Sequence, residues 1–162
     1  MKILFLGPPG CGKGTQAFKL KKLGYVHISS GDILRTEIAK GSKIGLKAKK
    51  YVESGGFVPD DIMIDLMLKN IPKKNFIMDG FPRTLNQAEN LNKKLKFDMV
   101  INFKCDIPTI KQRICNRLIC QTCGKSYSKS HSKSMICPND NTQLIKRSDD
   151  EELKINKRIS LF

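Results

Sequence analysis

Between an apolar run around Leu4–Leu6 and a helix-forming stretch lies Gly7-Pro-Pro-Gly-Cys-Gly-Lys-Gly-Thr15, with the spacing G-x-x-x-x-G-K. Glycines at these intervals let the backbone wrap closely, so that its amides can converge on oxygens of an anion. A helix beginning at Lys13 turns its unsatisfied N–H groups and its positive dipole end toward the same point. Lys13 would then reach the terminal phosphates of a nucleotide. The hydroxyl that normally follows the lysine is displaced by one residue, with Gly14 before Thr15. An ordinary glycine-rich turn is the plainer alternative, and the strand–loop–helix setting argues against it.

Short apolar segments alternate with helical ones through the first 117 residues. Tyr25–Ile28, Phe76–Met78 and Met99–Phe103 read as further buried strands. Helices are expected from the loop to about Lys22, from Ser30 to Ala39, and from Gly45 to Glu53. Others run from Pro59-Asp60 to near Pro72, from Thr84 to Leu95, and from Pro108 to about Arg117. This order predicts an α/β fold, a parallel sheet with helices on both faces. Ligands in such folds sit at the carboxyl ends of the strands, where Gly7, Ser30 and Asp79-Gly80 all fall. From Leu118 to about Arg147 the pattern breaks into cysteines, serines and lysines. Ser148 and Glu151 then have capping-box spacing and open a last helix.

The chain carries +15 formal charge in 162 residues, which points to anionic partners, nucleotides or nucleic acid. Its basic residues are 24 lysines and only six arginines, Arg35, Arg83, Arg113, Arg117, Arg147 and Arg158. Guanidinium is the better bidentate phosphate ligand, so these positions matter individually. No 18-residue apolar run and no signal-peptide pattern is present, and a cytoplasmic single-domain protein without a membrane span is expected.

Gly7–Gln16 resembles the phosphate loop of adenylate kinases, and the likeness continues in the family's order. Ser29-Ser30-Gly31-Asp32-Ile33-Leu34-Arg35 and Gly56-Phe57-Val58-Pro59-Asp60 resemble its two AMP-site segments. Asp79-Gly80-Phe81-Pro82-Arg83-Thr84 with Gln87-Ala88 is the most specific match, joined by Arg113, Arg117, Arg147-x-Asp-Asp and Arg158. The resemblance implies a P-loop NTPase-like core (1–29, 60–117, 151–162), an AMP-binding helical insertion (30–59) and a small lid (118–150). It implies reversible phosphoryl transfer from MgATP to AMP, giving two ADP, by a monomer. Lys13, Asp79, Arg83, Arg117, Arg147 and Arg158 would carry the chemistry, with Asp79 orienting water around Mg²⁺. ATP would meet Gly10, Cys11, Gly12, Lys13, Gly14, Thr15, Arg113 and Arg117, with Arg113 stacked near the donor adenine. AMP would meet Ser30, Arg35, Phe57, Val58, Gly80, Arg83, Gln87, Arg147 and Arg158, and Gln87 would read its base. Another monophosphate, UMP or CMP, is the alternative acceptor.

Cys120-x-x-Cys123 is followed after 13 residues by Cys137-x-x-Asp140. Two such knuckles joined by a short loop have zinc-ribbon spacing, with Asp140 supplying an oxygen. Some zinc-bearing adenylate kinase lids resemble this form, which implies a structural Zn²⁺. His131 is a conceivable substitute ligand, and Tyr127 resembles the family's lid aromatic. Cys105 and Cys115 are expected to be small buried residues, whereas Cys11 lies where the loop amides and Lys13 favour its thiolate. Bacterial relatives with such a lid continue past the position of Arg158 with a further strand and helix. The apparent lack of that segment leaves four strands, an unprotected sheet edge and Leu161 and Phe162 uncovered. A non-enzymatic nucleotide- or nucleic-acid-binding form is therefore the competing reading, with nucleic acid the less expected partner.

Overall fold

The structure, a computed structural model, describes residues 1–53, 58–132, 134–147 and 149–160, leaving out the side chains of His131 and Lys157. Four strands form the central sheet: β1 (Lys2–Leu6), β2 (Val26–Ser29), β3 (Phe76–Asp79) and β4 (Met99–Asn102). They run parallel in the order β2-β3-β1-β4. Alternation along each strand divides the core into two layers. Ile3, Phe5 and Ile77 face α1 (Lys13–Leu20) and its Ala17. Leu4, Ile28, Phe76 and Met78 face the other way, onto Leu34, Met67 and Leu91. These three come from α2 (Ser30–Ala39), α4 (Asp60–Lys69) and α5 (Leu85–Lys94). Helices thus cover both faces, as the alternating pattern predicts. Central β3 is buried along its whole length, while β4 lies at an edge with Met99 and Val100 about half exposed.

Helix ends follow local chemistry. The Ser29 hydroxyl accepts from the Asp32 amide to open α2, and Thr84 accepts from Gln87 to open α5. Asp106 does the same for α6 (Ile107–Cys115), which has a proline in its first turn. α1 stops at Leu20, short of the expected Lys22, because the chain tightens into a 3₁₀ turn over Lys21–Leu23 and reverses at Gly24. α4 likewise ends at Lys69, ahead of Pro72, because residues before a proline disfavour helical backbone. α3 (Lys43–Glu53) packs against α2.

The lid begins at β5 (Arg117–Ile119), paired antiparallel with β6 (Ser126–Ser128). Bridges Ile119–Ile145 and Ile136–Gln143 close it. The described chain ends in α7 (Glu152–Ser160), whose Ile155 packs on Ile110 and Ile114 of α6. Cys105 and Cys115 are not the buried residues expected: Cys105 is half-buried and Cys115 is exposed. Only the Ile110/Ile114 face of α6 turns inward, and Cys115 follows Ile114 by about 100° around the helix. Leu161, Phe162 and the capping residue Ser148 lie outside the described residues.

Candidate functional site

The phosphate loop joins β1 to α1. Gly7 has φ +136°, and a Cβ there would stand 2.5 Å from the Phe103 carbonyl oxygen, so only glycine fits. Gly12, at the N-cap of α1, offers no capping side chain, and no acidic residue occupies the first turn. Those amides therefore point outward in a positive field, which is what an anion site requires. Lys13 Nζ donates to the carbonyls of Gly7 (2.7 Å) and Pro8 (2.8 Å), and it lies 3.5 Å from Cys11 Sγ. These bonds hold the ammonium across the loop. The loop opens into a cleft of ≈ 1160 Å³ that also takes in Gly10, Cys11, Gly12, Gly14, Thr15, Arg113 and Arg117. Asp79 closes its floor at the end of β3, with its Oδ2 3.4 Å from His27 Nε2.

Across the cleft, Arg35, Arg83, Arg117, Arg147 and Arg158 converge on few carboxylates. Arg35 binds Asp32 (2.5 Å) and reaches Asp149 (3.5 Å). Arg158 binds Asp149 (2.9 Å), and Arg117 Nε donates to Asp150 (2.8 Å) while its NH2 makes a second bond there. Arg147 stands 3.8 Å from Asp32. Five guanidiniums against Asp32, Asp79, Asp149 and Asp150 leave a surplus of positive charge. Burial, with Arg158 nearby, pulls the Arg83 guanidinium down to about 10, and burial with Arg35 does the same to Arg147. Both stay charged at neutral pH, crowded by neighbouring guanidiniums. Burial raises Asp149, but Arg158, Arg35 and Arg147 outweigh it and hold the carboxyl below its ordinary 3.8. Asp149 Oδ1 and Arg147 Nε are buried without a partner, so the cluster keeps polar capacity in reserve.

Behind the arginines, a smaller pocket is lined by Ser30, Leu34, Val58, Met63, Gly80, Phe81 and Gln87. Ser30 Oγ donates to the Gly80 carbonyl (2.8 Å), which also accepts from Arg83 Nε (2.7 Å). Gly80 has φ +78°, and a Cβ there would strike Ser30 Oγ at 2.6 Å. The turn after β3 thus fixes a hydroxyl, a guanidinium and a flat apolar slot together. Arg113 stands apart from this group, with its NH1 3.7 Å from Cys105 Sγ. Phe57 lies outside the described residues.

In the lid, one donor atom from each of Cys120, Cys123, Cys137 and Asp140 lies within 4.8 Å of the others. Cys123 Sγ and Cys137 Sγ are 3.7 Å apart, and Cys120 Sγ is 3.2 Å from Asp140 Oδ2. Sulfurs at tetrahedral Zn–S distances stand about 3.8 Å apart, so this donor set fits a zinc-sized ion. The Tyr127 hydroxyl lies 3.1 Å from Cys137 Sγ. Lys125 carries the lid onto the core, with Nζ 5.1 Å from the Tyr127 ring centre and 5.6 Å from that of Phe18 on α1.

A family model for adenylate kinases matches residues 5–162. The chain belongs to the adenylate kinase family. It is accordingly an ATP:AMP phosphotransferase. An adenylate kinase of Hydrogenobaculum sp. is 43% identical over 175 residues, covering 100% of this chain and 82% of the relative. Those of Methanocella arvoryzae and Kosmotoga olearia are each 40% identical and are covered over 81% of their length. Among the described helices none is long and apolar enough to cross a membrane.

Some residues of this adenylate kinase's site were not evident in the sequence. Asp149 and Asp150 were marked by the Arg147-x-Asp-Asp match but given no role of their own, and they are buried against arginines, with α7 beginning only at Glu152. His27 and Asp32 fell inside recognised segments without a role. Alternation along β2 could have placed His27 toward Asp79, because Val26–Ser29 and Phe76–Asp79 pair in register.

Proposed function

We propose that MgATP lies along the phosphate loop and AMP fills the pocket under Gly80, so that the transferring phosphoryl meets the arginine cluster between them. The surplus of guanidinium charge at that junction is the observation that carries this reading. Phosphoryl transfer asks a protein chiefly to align donor and acceptor and to stabilise charge as it moves. The amides of Gly10 to Thr15 and Lys13 hold the donor's phosphates. Arg35 and Arg83 hold the phosphate of AMP, while Arg117, Arg147 and Arg158 reach the phosphoryl in flight and Arg113 lies along the donor adenine. Asp79 holds water on the donor's Mg²⁺. Ser30, Val58 and Gln87 receive the adenine of AMP. The AMP-side segment and the lid, 30–59 and 118–150, close over the two nucleotides and exclude water.

Cys120, Cys123, Cys137 and Asp140 would hold a structural Zn²⁺, which supplies a covalent-strength staple to the lid and takes no part in the transfer. Lys13→Met tests the reading. Initial rates with MgATP and AMP should fall by about 10²–10³-fold, while tight binding of a bisubstrate analogue, two adenosines joined by five phosphates, should weaken. Turnover within tenfold of the parent, or equal use of UMP and CMP, would overturn it.

A further inference from the structure

Gln87 is almost wholly buried, and its amide is held at both ends by groups of opposite character. The backbone N–H of Arg83 donates to Oε1 at 2.7 Å, and Nε2 donates to Asp60 Oδ1 at 2.6 Å. A backbone N–H can only donate and an ionised carboxylate can only accept, so the amide has one permitted orientation. Inverting it would press NH₂ against N–H and carbonyl against carboxylate, two repulsive contacts in a buried place. Asp60 is fixed in turn. It begins α4, where the helix dipole favours a negative charge, and its other oxygen accepts from Asn86 Nδ2 at 2.7 Å. Gln87 lines the pocket under Gly80, and Asp60 does not.

We infer that Asp60 is a specificity-determining positioning residue: it locks the Gln87 amide so that the pocket accepts an amino-substituted base and rejects an oxo-substituted one. The inference rests on the reading that Gln87 faces the base of AMP. An amide uses one lone pair and one N–H on its outer sides for Arg83 and Asp60, and keeps one of each for the ligand. Adenine offers a donor at N6 and an acceptor at N1, which complement Oε1 and Nε2–H. A 6-oxopurine offers the reverse, and only an inverted amide would suit it. A site whose buried donors and acceptors are fixed can reject such a mismatch by several orders of magnitude, whereas one that can flip cannot.

The test compares kcat/KM for AMP and for IMP, which differ only in the 6-substituent and the N1 proton, with KM for MgATP as the reference. The variants are Asp60→Asn, Asp60→Glu and Gln87→Leu. Asn can donate as well as accept, so it lifts one of the two restraints on the amide and leaves only the Arg83 N–H to oppose inversion, and the AMP-to-IMP ratio should fall by about tenfold or more. Asp60→Glu keeps an acceptor and should restore most of the ratio, and Gln87→Leu should remove it. A ratio within twofold of the parent in Asp60→Asn, beside a collapse in Gln87→Leu, would overturn the role of Asp60 and leave Gln87 as the reader. An unchanged ratio in Gln87→Leu would instead overturn the reading beneath both. Should Asp60→Asn fail to fold, NMR of the parent protein decides. Nε2 protons of Gln87 strongly protected from exchange with solvent support the lock, and protons that exchange at the rate of a free side-chain amide overturn it.

Discussion

The pocket under Gly80 and the lid are attached to the same sheet but held together by different physics. The pocket is built on apolar burial: Leu34, Val58, Met63 and Phe81 belong to the large core cluster around Phe76, Met78 and Met67. Two of its uncharged polar groups, Ser30 and Gln87, are fixed by hydrogen bonds to main chain and to Asp60, and Arg35, Arg83, Asp149 and Arg158 line its charged side. Among the described residues, the lid's own cluster buries Leu118, Cys120, Cys137 and Leu144. That is too little apolar area to hold some thirty residues against their conformational entropy. On the proposed reading, a metal held by Cys120, Cys123, Cys137 and Asp140 supplies the rest of its order, with ion pairs at its base. One region is therefore built on the main core, and the other depends on few apolar contacts of its own.

Removing the metal should separate the two regions most. A structural zinc contributes on the order of 10 kcal/mol to a small domain that folds around it. In Cys137→Ser, zinc content should fall and amide exchange should rise across Leu118–Ile145, with β1 and β3 still protected. Protection retained throughout the lid after chelation would break the comparison. At the base of the lid, Arg117 binds Asp150, whose side chain is fully buried. Asp150→Asn strands the guanidinium, and unfolding should become easier by about 3–5 kcal/mol. Calorimetric melting reads this, and a change below ~1 kcal/mol would assign the lid's base to packing alone.

Acid should act through the arginine cluster on the charged side of the pocket rather than through its apolar lining. Asp149 and Asp32 both sit below their ordinary 3.8 because neighbouring arginines outweigh their burial. A depressed folded value contributes stability that is fully present above the unfolded value and lost as pH falls through the folded one. Melting temperature should thus drop more steeply between pH ~5 and ~2 in the parent than in Asp149→Asn, and parallel curves would remove the cluster from the acid response. The smallest effect expected is at the lid's outer contact. Phe18→Leu removes the ring faced by Lys125, which is worth about 0.5–1 kcal/mol. Lid-opening rates by relaxation dispersion should rise severalfold, with the global melting point nearly unchanged.

Much of the core was legible because its signals are local. Gly7, Gly10 and Gly12 take the positive φ values that such a loop demands, so their spacing reported the backbone directly. The strands appeared as apolar runs because a parallel sheet buries both faces, and the capping hydroxyls of Ser29 and Thr84 marked helix starts. Edge strand β4 reads like a central one, since an apolar run does not reveal its place in the sheet. Cys115 was misplaced for a related reason: its exposure depends on which face of α6 meets α7.

Within the candidate site, the sequence alone determined which residue types were present: the phosphate loop, the scarce arginines and the paired cysteine knuckles. Each of these is a short-range pattern whose chemistry follows from spacing. Only the tertiary structure decided which charges share a partner. Arg35 and Asp149 are 114 positions apart, and Gln87 and Asp60 are 27. Such pairings depend on how strands and helices pack, and no local spacing encodes them. The surplus charge over the cleft and the fixed amide in the pocket both arise from packing of that kind.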